Sequence, residues 1–330
     1  MTNFGKTLGG AVATTICLAS AATAAERVDF ILNWTVAGSH APIYYALQQG
    51  WFEEAGVDLR VETGKGSTLA AQKVGVGASD MGIADLGTTI VARGAGADLV
   101  AVMNIFANSP YQFYWLKSSG IESLRDFSGR KLGNPPGDAA RAMWPAVAAA
   151  EGLEPDAVDW VNIAPNAKVS ALKSGAIDGT SFFANFHYVM QDAFGDDLAH
   201  VALRDVGLNP YGNSVVANGD WLEATPELAD ATVKTLQRAY RYCVDHSEEC
   251  VSVLPDYASG VDPDQEIRNW SAVVELMTDE TSRSKGLGWF DPDRIVSDIA
   301  LVEKYFDVAS PIEAENLYTN ELLDPSVTMP

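Results

Sequence analysis

Apolar and polar positions follow two rhythms along this chain. Val28-Asp-Phe-Ile-Leu32, Val57-Asp-Leu-Arg-Val61, Met81-Gly-Ile-Ala84 and Leu99 to Ile105 are short apolar or alternating runs. They predict strands, because side chains two apart share one face of a pleated backbone. Between them, Ala41 to Glu54, Thr68 to Val74 and Thr88 to Arg93 carry helical spacing. Strands and helices alternating at this interval imply βαβ units on a mostly parallel sheet with helices on both faces.

The rhythm restarts around Ser109 to Leu116. Lys131 to Gly133, Val158 to Asn162 and Ile177 to Phe183 read as strands, and Ala139 to Ala150 and Ala167 to Lys173 as helices. After Ser214-Val-Val-Ala217 the pattern turns almost wholly helical: Pro226 to Val244, Glu248 to Tyr257, Pro263 to Met277 and Pro292 to Phe306. The expectation is an α/β chain of two lobes. Residues 26–110 with 214–330 form the first lobe, its helical C-terminal segment packing back on it, and 111–213 the second.

Residues 1–25 stand apart. One charge, Lys6, precedes an apolar and small run from Leu8, and Ala22-Thr-Ala24-Ala25 comes directly before Glu26-Arg27. A positive start, an apolar stretch too short to span a bilayer and a small-x-small site predict a secretory signal peptide cut after Ala24 or Ala25. The expected location is the periplasm, with no membrane insertion. Cys17 lies within this segment. The remaining cysteines, Cys243 and Cys250, would sit roughly 10 Å apart in one straight helix, too far for a disulfide. Ser247 with its acidic followers looks like a new helix start between them, and such a break permits a bridge; the alternative is two buried thiols.

Composition excludes whole classes. The 330 residues hold 44 acidic and 22 basic side chains, a net charge of −22. Binding nucleic acid by neutralising phosphates is excluded on that balance, as is docking on anionic lipid. Histidines 40, 187, 200 and 246 form no i, i+4 pair, and neither H-E-x-x-H, C-x-x-C nor G-x-S-x-G occurs, so no metal, cofactor or nucleophile is expected. Gly64-Lys-Gly-Ser-Thr68 lacks the spacing of a phosphate loop and reads as a loop closed by a Ser67 or Thr68 helix cap.

Polar and aromatic residues gather instead where the predicted strands end. Asn33 and Trp34 close the first strand and lead through His40 into a helix; Asp85 ends another, Asn104 and Phe106 flank the end of the next, and Phe182, Phe183 and Asn185 end one in the second half. In open α/β sheets the carboxyl ends of strands border the ligand crevice. Each residue alone also has a structural role open to it: turn former, cap or core.

The run from Asn33-Trp-Thr-Val-Ala-Gly-Ser-His to Arg60, with Gly75-Val-Gly-Ala-Ser-Asp80, Leu124 to Gly133 and Leu172 to Gly179, resembles solute-binding proteins of ABC importers, of the nitrate, sulfonate, taurine and thiamine-pyrimidine-precursor superfamily. The Asn33-Trp34 and His40 arrangement is most similar to the thiamine-pyrimidine-precursor branch, although that branch's acidic-aromatic motif in the second-lobe turn is not reproduced. The resemblance implies a type II periplasmic-binding-protein fold, two lobes joined by a hinge around an interlobe cleft, acting as a monomer that presents its closed form to ABC transporter permease subunits. Related cytosolic pyrimidine synthases share the architecture, but their cysteine-rich motif is missing here.

The turn Gly133-Asn-Pro-Pro-Gly-Asp138-Ala-Ala-Arg141 bears on the solute. Two prolines donate no N–H and Asp138 repels an anion, with Arg141 one turn along to offset it. A carboxylate there suits a solute with N–H donors, unless Asp138 is simply a helix cap. The expected solute is therefore a small nitrogen-containing aromatic molecule of hydroxymethylpyrimidine type, with Trp34, Phe183 and Tyr211 stacking, Asp85 and Asp138 accepting hydrogen bonds, Asn33, His40, Asn104 and Asn185 orienting it, and Ser67 beside them. The alternatives are a binder of sulfonate, taurine, nitrate or another small anion, and an exported enzyme on the same fold.

Overall fold

A computed structural model describes residues 25–306 and 308–330, with Met1, Thr2 and Gly5; the signal segment expected over 1–25 lies almost wholly outside these. Among the described residues, ten strands form two five-stranded sheets. The strands are β1 (Glu26–Ile31), β2 (Val57–Glu62), β3 (Met81–Asp85), β4 (Leu99–Asn104), β5 (Tyr111–Leu116), β6 (Lys131–Asn134), β7 (Asp159–Asn162), β8 (Gly179–Phe183), β9 (Leu198–Ala202) and β10 (Asn213–Asn218). The first sheet runs β2-β1-β3-β10-β4 and the second β7-β6-β8-β5-β9.

The two orders are equivalent. In each sheet three parallel strands from successive βα units are followed by one antiparallel strand, β10 or β5, that has just arrived from the other lobe. The fifth strand, β4 or β9, pairs antiparallel with β10 or β5 and so runs with the other three; each sheet is mostly parallel with one reversed strand, because a chain that crosses between lobes enters the new sheet from the cleft side. Leu198 to Ala202, an edge strand of mixed burial, carries no clear alternation and was not expected as β9.

The crossovers run side by side. Backbone N–H groups of Ile105 and Phe106 both donate to Asn213 O at 2.9 Å, and Gly212 N–H donates to Phe106 O at 2.9 Å. A Cβ on Gly212 would lie 2.7 Å from the Pro110 ring, so glycine is what lets the two connections touch.

Burial follows the sequence rhythm. Along the helix Pro226–Asp245, Ala229, Val233, Leu236, Tyr240 and Cys243 recur every three or four residues and all are buried; this stripe packs on the helix Ala41–Gln48 over β1 and β2. The second lobe is centred on Phe113, Phe127 and Trp144, whose rings meet at 5.6 to 6.4 Å. Three expected helices are shorter than read. Gly50, at φ +73°, ends the first at Gln48 before a separate turn over Trp51–Glu54. Pro145 has no N–H to return to the preceding turn, which splits the second into Ala139–Ala142 and Trp144–Ala150. The segment after Ser247 is helical only to Val251.

His246 leaves helical geometry between two helices, and the resulting break brings Cys243 and Cys250 to a Cα separation of 5.7 Å, where they form a disulfide. The Cys243 carbonyl at this break accepts from the Trp270 indole N–H at 3.0 Å. No helix among the described residues is long and apolar enough to cross a membrane.

Candidate ligand-binding site

Strand ends from both sheets face one another across the lobes. From the first lobe, Asn33 and Trp34 follow β1, Gly66 and Ser67 end the loop after β2, Ser39 precedes a helix, and Asn213 opens β10. From the second, Asp138 and Ala139 follow β6, Lys168 opens the helix after β7, and Phe182, Phe183, Asn185 and Phe186 lie at the end of β8. Together they wall a cavity of about 40 Å³. That is room for a few waters, well below the several hundred Å³ usual for ligand pockets, so the walls contributed by the two sheets lie close against each other.

Backbone meets backbone at this closure. Thr68 N–H donates to Gly137 O at 3.3 Å. Gly66 sits at φ +131°, and a Cβ there would fall 2.1 Å from the same carbonyl. Glycine is required twice over, by conformation and by space.

Asp138 caps the helix Ala139–Ala142, accepting from Arg141 N–H at 3.2 Å. Its other oxygen accepts from Lys168 Nζ at 2.8 Å, and that ammonium also donates to Ser181 O at 2.7 Å. Lys168 is 1% exposed and lies 4.6 Å from the Phe182 ring centroid and 5.4 Å from that of Trp34. Burial lowers the Lys168 pKa, and Asp138 opposes that shift. The cavity therefore contains a desolvated but paired charge couple between aromatic faces.

Lys168 is a residue that the sequence reading missed. Arg141, expected to offset Asp138, turns instead to Asn162 Oδ1 at 2.6 Å and lies over the Trp160 ring. Phe182, read with Phe183 at the strand end, lines the cavity as that position implied, and Ser39, Phe186 and Asn213 line it unanticipated.

Of the expected residues, Asn33, Trp34, Ser67, Asp138, Phe183 and Asn185 come together in the cavity wall. His40 stands one link behind it, its Nε2 3.1 Å from Asn33 Oδ1 and its Nδ1 accepting from Ala37 N–H at 3.2 Å; burial lowers its pKa to about 3, so the ring is neutral. Three do not reach the wall. Asp85 is fully buried beneath β3's end, where its Oδ1 caps Thr88 N–H at 3.1 Å and burial raises its pKa to about 6. Asn104 is buried at the end of β4, its backbone N–H bound to Gly288 O at 2.7 Å. Tyr211 lies in the core edge-on to Phe290 and under the Arg294 guanidinium, its hydroxyl accepting from Asp291 N–H at 2.9 Å, so neither ring face is open to a ligand.

Comparison with known proteins accords with this geometry. The 4-amino-5-hydroxymethyl-2-methylpyrimidine phosphate synthase of Legionella pneumophila is 24% identical over 304 residues, 90% of this chain and 92% of that one. The formylaminopyrimidine-binding protein of Halalkalibacterium halodurans is 23% identical over 234 residues, 70% of each. The fold superposes on the alkanesulfonate-binding protein of Xanthomonas axonopodis pv. citri, bound to MOPS, with a TM-score of 0.70 at 14% identity, covering 90% of this chain and 99% of that one. A two-lobe periplasmic-binding-protein fold is thereby shown. The family model described as NMT1/THI5 like matches residues 37–250, well over half of the sequence, and on that match the chain belongs to the NMT1/THI5-like family.

Proposed function

We propose that this protein is the extracytoplasmic solute-binding component of an ABC transporter, closing its lobes on a small nitrogen-containing aromatic solute of hydroxymethylpyrimidine type and catalysing no reaction. The observation that carries the reading is the Asp138–Lys168 pair set between Trp34 and Phe182. Charges that cancel beside aromatic rings suit a neutral ring with polar edges better than a free anion. The binding protein of Halalkalibacterium, named for a formylaminopyrimidine, supports the same solute class. Residues 26–110 with 214–330 and residues 111–213 act as the two closing bodies of a monomer. Residues 1–25 act as the export signal, so the secreted chain begins at Ala25 or Glu26.

A second reading has one observation in its favour: Lys168 is a buried ammonium, and an anion of sulfonate type would compete with Asp138 for it. Thermal unfolding against a panel of aminopyrimidines, taurine, alkanesulfonates and nitrate separates the two. A solute at 100 times its Kd adds about 2.7 kcal/mol. Stabilisation by the sulfonates with none by pyrimidines overturns the proposal, and turnover of a pyrimidine precursor overturns its non-catalytic part. Lys168→Met strands the carboxylate and destabilises the fold by about 3 kcal/mol or more, and adding Asp138→Asn restores most of that loss while a neutral ring still binds.

A further inference from the structure

Two asparagines in the cavity wall are held in fixed orientations by the same turn, Ala37 to Ser39. A backbone N–H can only donate, so the Ala37 N–H makes His40 Nδ1 an acceptor and puts the ring proton on Nε2. Nε2–H then donates to Asn33 Oδ1 at 3.1 Å, which turns Asn33 Nδ2 toward Asn213 Oδ1 at 3.2 Å. Asn213, its oxygen thus engaged, is left with its amide hydrogens for the cavity it lines.

The second chain starts at the Ser39 N–H, which donates to Asn269 Oδ1 at 3.0 Å. That oxygen also accepts from Asn185 Nδ2 at 3.2 Å, so the second-lobe amide is oriented by a first-lobe backbone group. Asn185 is 2% exposed, and its Oδ1 is buried with no hydrogen-bond partner among the described residues. An unmatched acceptor in that position is costly unless a ligand supplies the donor.

We infer that the cavity reads a donor–acceptor edge: Asn213 Nδ2 donates to a ring nitrogen or carbonyl of the solute, Asn185 Oδ1 accepts from an amino or ring N–H, and His40 is the positioning residue that sets the polarity on the first-lobe side. The inference rests on the proposed binding of a neutral heteroaromatic solute and narrows it to rings with an amidine or lactam edge. A sulfonate offers acceptors alone and leaves Asn185 unmatched.

The test has one arm without ligand and one with it. Long-range proton–nitrogen NMR of the ligand-free protein shows His40 as the Nε2–H tautomer from pH 5 to 8; an Nδ1–H tautomer overturns the inference whatever binds. Calorimetry then compares 4-amino-5-hydroxymethyl-2-methylpyrimidine, which has both donor and acceptors, with 2-methylpyrimidine, which has acceptors alone. The second binds about ten-fold or more weakly, and Asn213→Asp, which keeps the oxygen that Asn33 needs, weakens the first by about ten-fold or more. His40→Met costs affinity and His40→Gln, whose Nε2 can still donate to Asn33, recovers most of it. Equal binding by wild type and Asn213→Asp, or equal affinity for both rings, overturns the donor–acceptor assignment while the binding function stands; no binding of either ring overturns the function and the assignment with it.

Discussion

Among single residues, the buried carboxyls make the sharpest forecast about pH. Asp298 is 7% exposed, accepts from Tyr211 N–H at 3.0 Å, and has its pKa raised to about 7, chiefly by burial. A carboxyl whose folded pKa exceeds its unfolded value contributes stability that is full below about pH 3.8 and is lost as pH rises through about 7. Asp298→Asn keeps an oxygen for the Tyr211 N–H and removes the titration, so it raises the melting temperature at pH 8 and flattens the fall between pH 4 and 8, by an amount on the order of 3 kcal/mol. An unchanged pH profile in the variant sinks the argument. His40 acts in the opposite direction. Its pKa is lowered to about 3, so its contribution is full above about pH 6.5 and is lost as pH falls toward 3. The site itself was partly legible at this scale: Asn33, Trp34 and Asp138 sit in loops directly after strands, where a local pattern marks them. Lys168 was not, because a lysine opening an amphipathic helix looks like any solvated helix residue until the fold sets it against Asp138.

For whole elements, helices and strands were readable wherever a stripe or alternation lasts several residues, as along Pro226–Asp245. Boundaries moved where one residue changes the backbone: Gly50 with its positive φ, Pro145 without an N–H, and His246 between two helices. The loop carrying Gly66 is the element whose shape decides closure. Gly66→Ala places a Cβ on the Gly137 carbonyl and strains a backbone at φ +131°, so it holds the lobes apart. Small-angle scattering is expected to show a larger radius of gyration for the variant, and solute affinity is expected to fall about ten-fold or more. A variant as compact and as tight-binding as the wild type shows that the contact does not limit closure.

Across the molecule, the two lobes also touch outside the cavity. Arg268, on the C-terminal helix Pro263–Met277, makes two hydrogen bonds of 2.6 and 3.0 Å to Asp192 on the second-lobe helix His187–Phe194, and its guanidinium lies 4.8 Å from the Tyr188 ring. Both charged side chains are about half exposed, so solvent screens the pair and its contribution is small. Arg268→Ala, which removes no cavity residue, is therefore expected to weaken solute binding about two- to five-fold, mostly through faster release, and stopped-flow dissociation measures it. An unchanged release rate means that the helix does not help hold the lobes shut. The sequence by itself determined the alternation of elements, the restart of the rhythm near Ser109 and the acidic charge, because periodicity and composition are properties of neighbouring residues. The tertiary structure alone decided that β5 and β10 run antiparallel, that Lys168 neutralises Asp138, that Tyr211 is core, and that Asn33 reaches Asn213 180 positions away. Each depends on how two sheets dock, and a local pattern has no term for that.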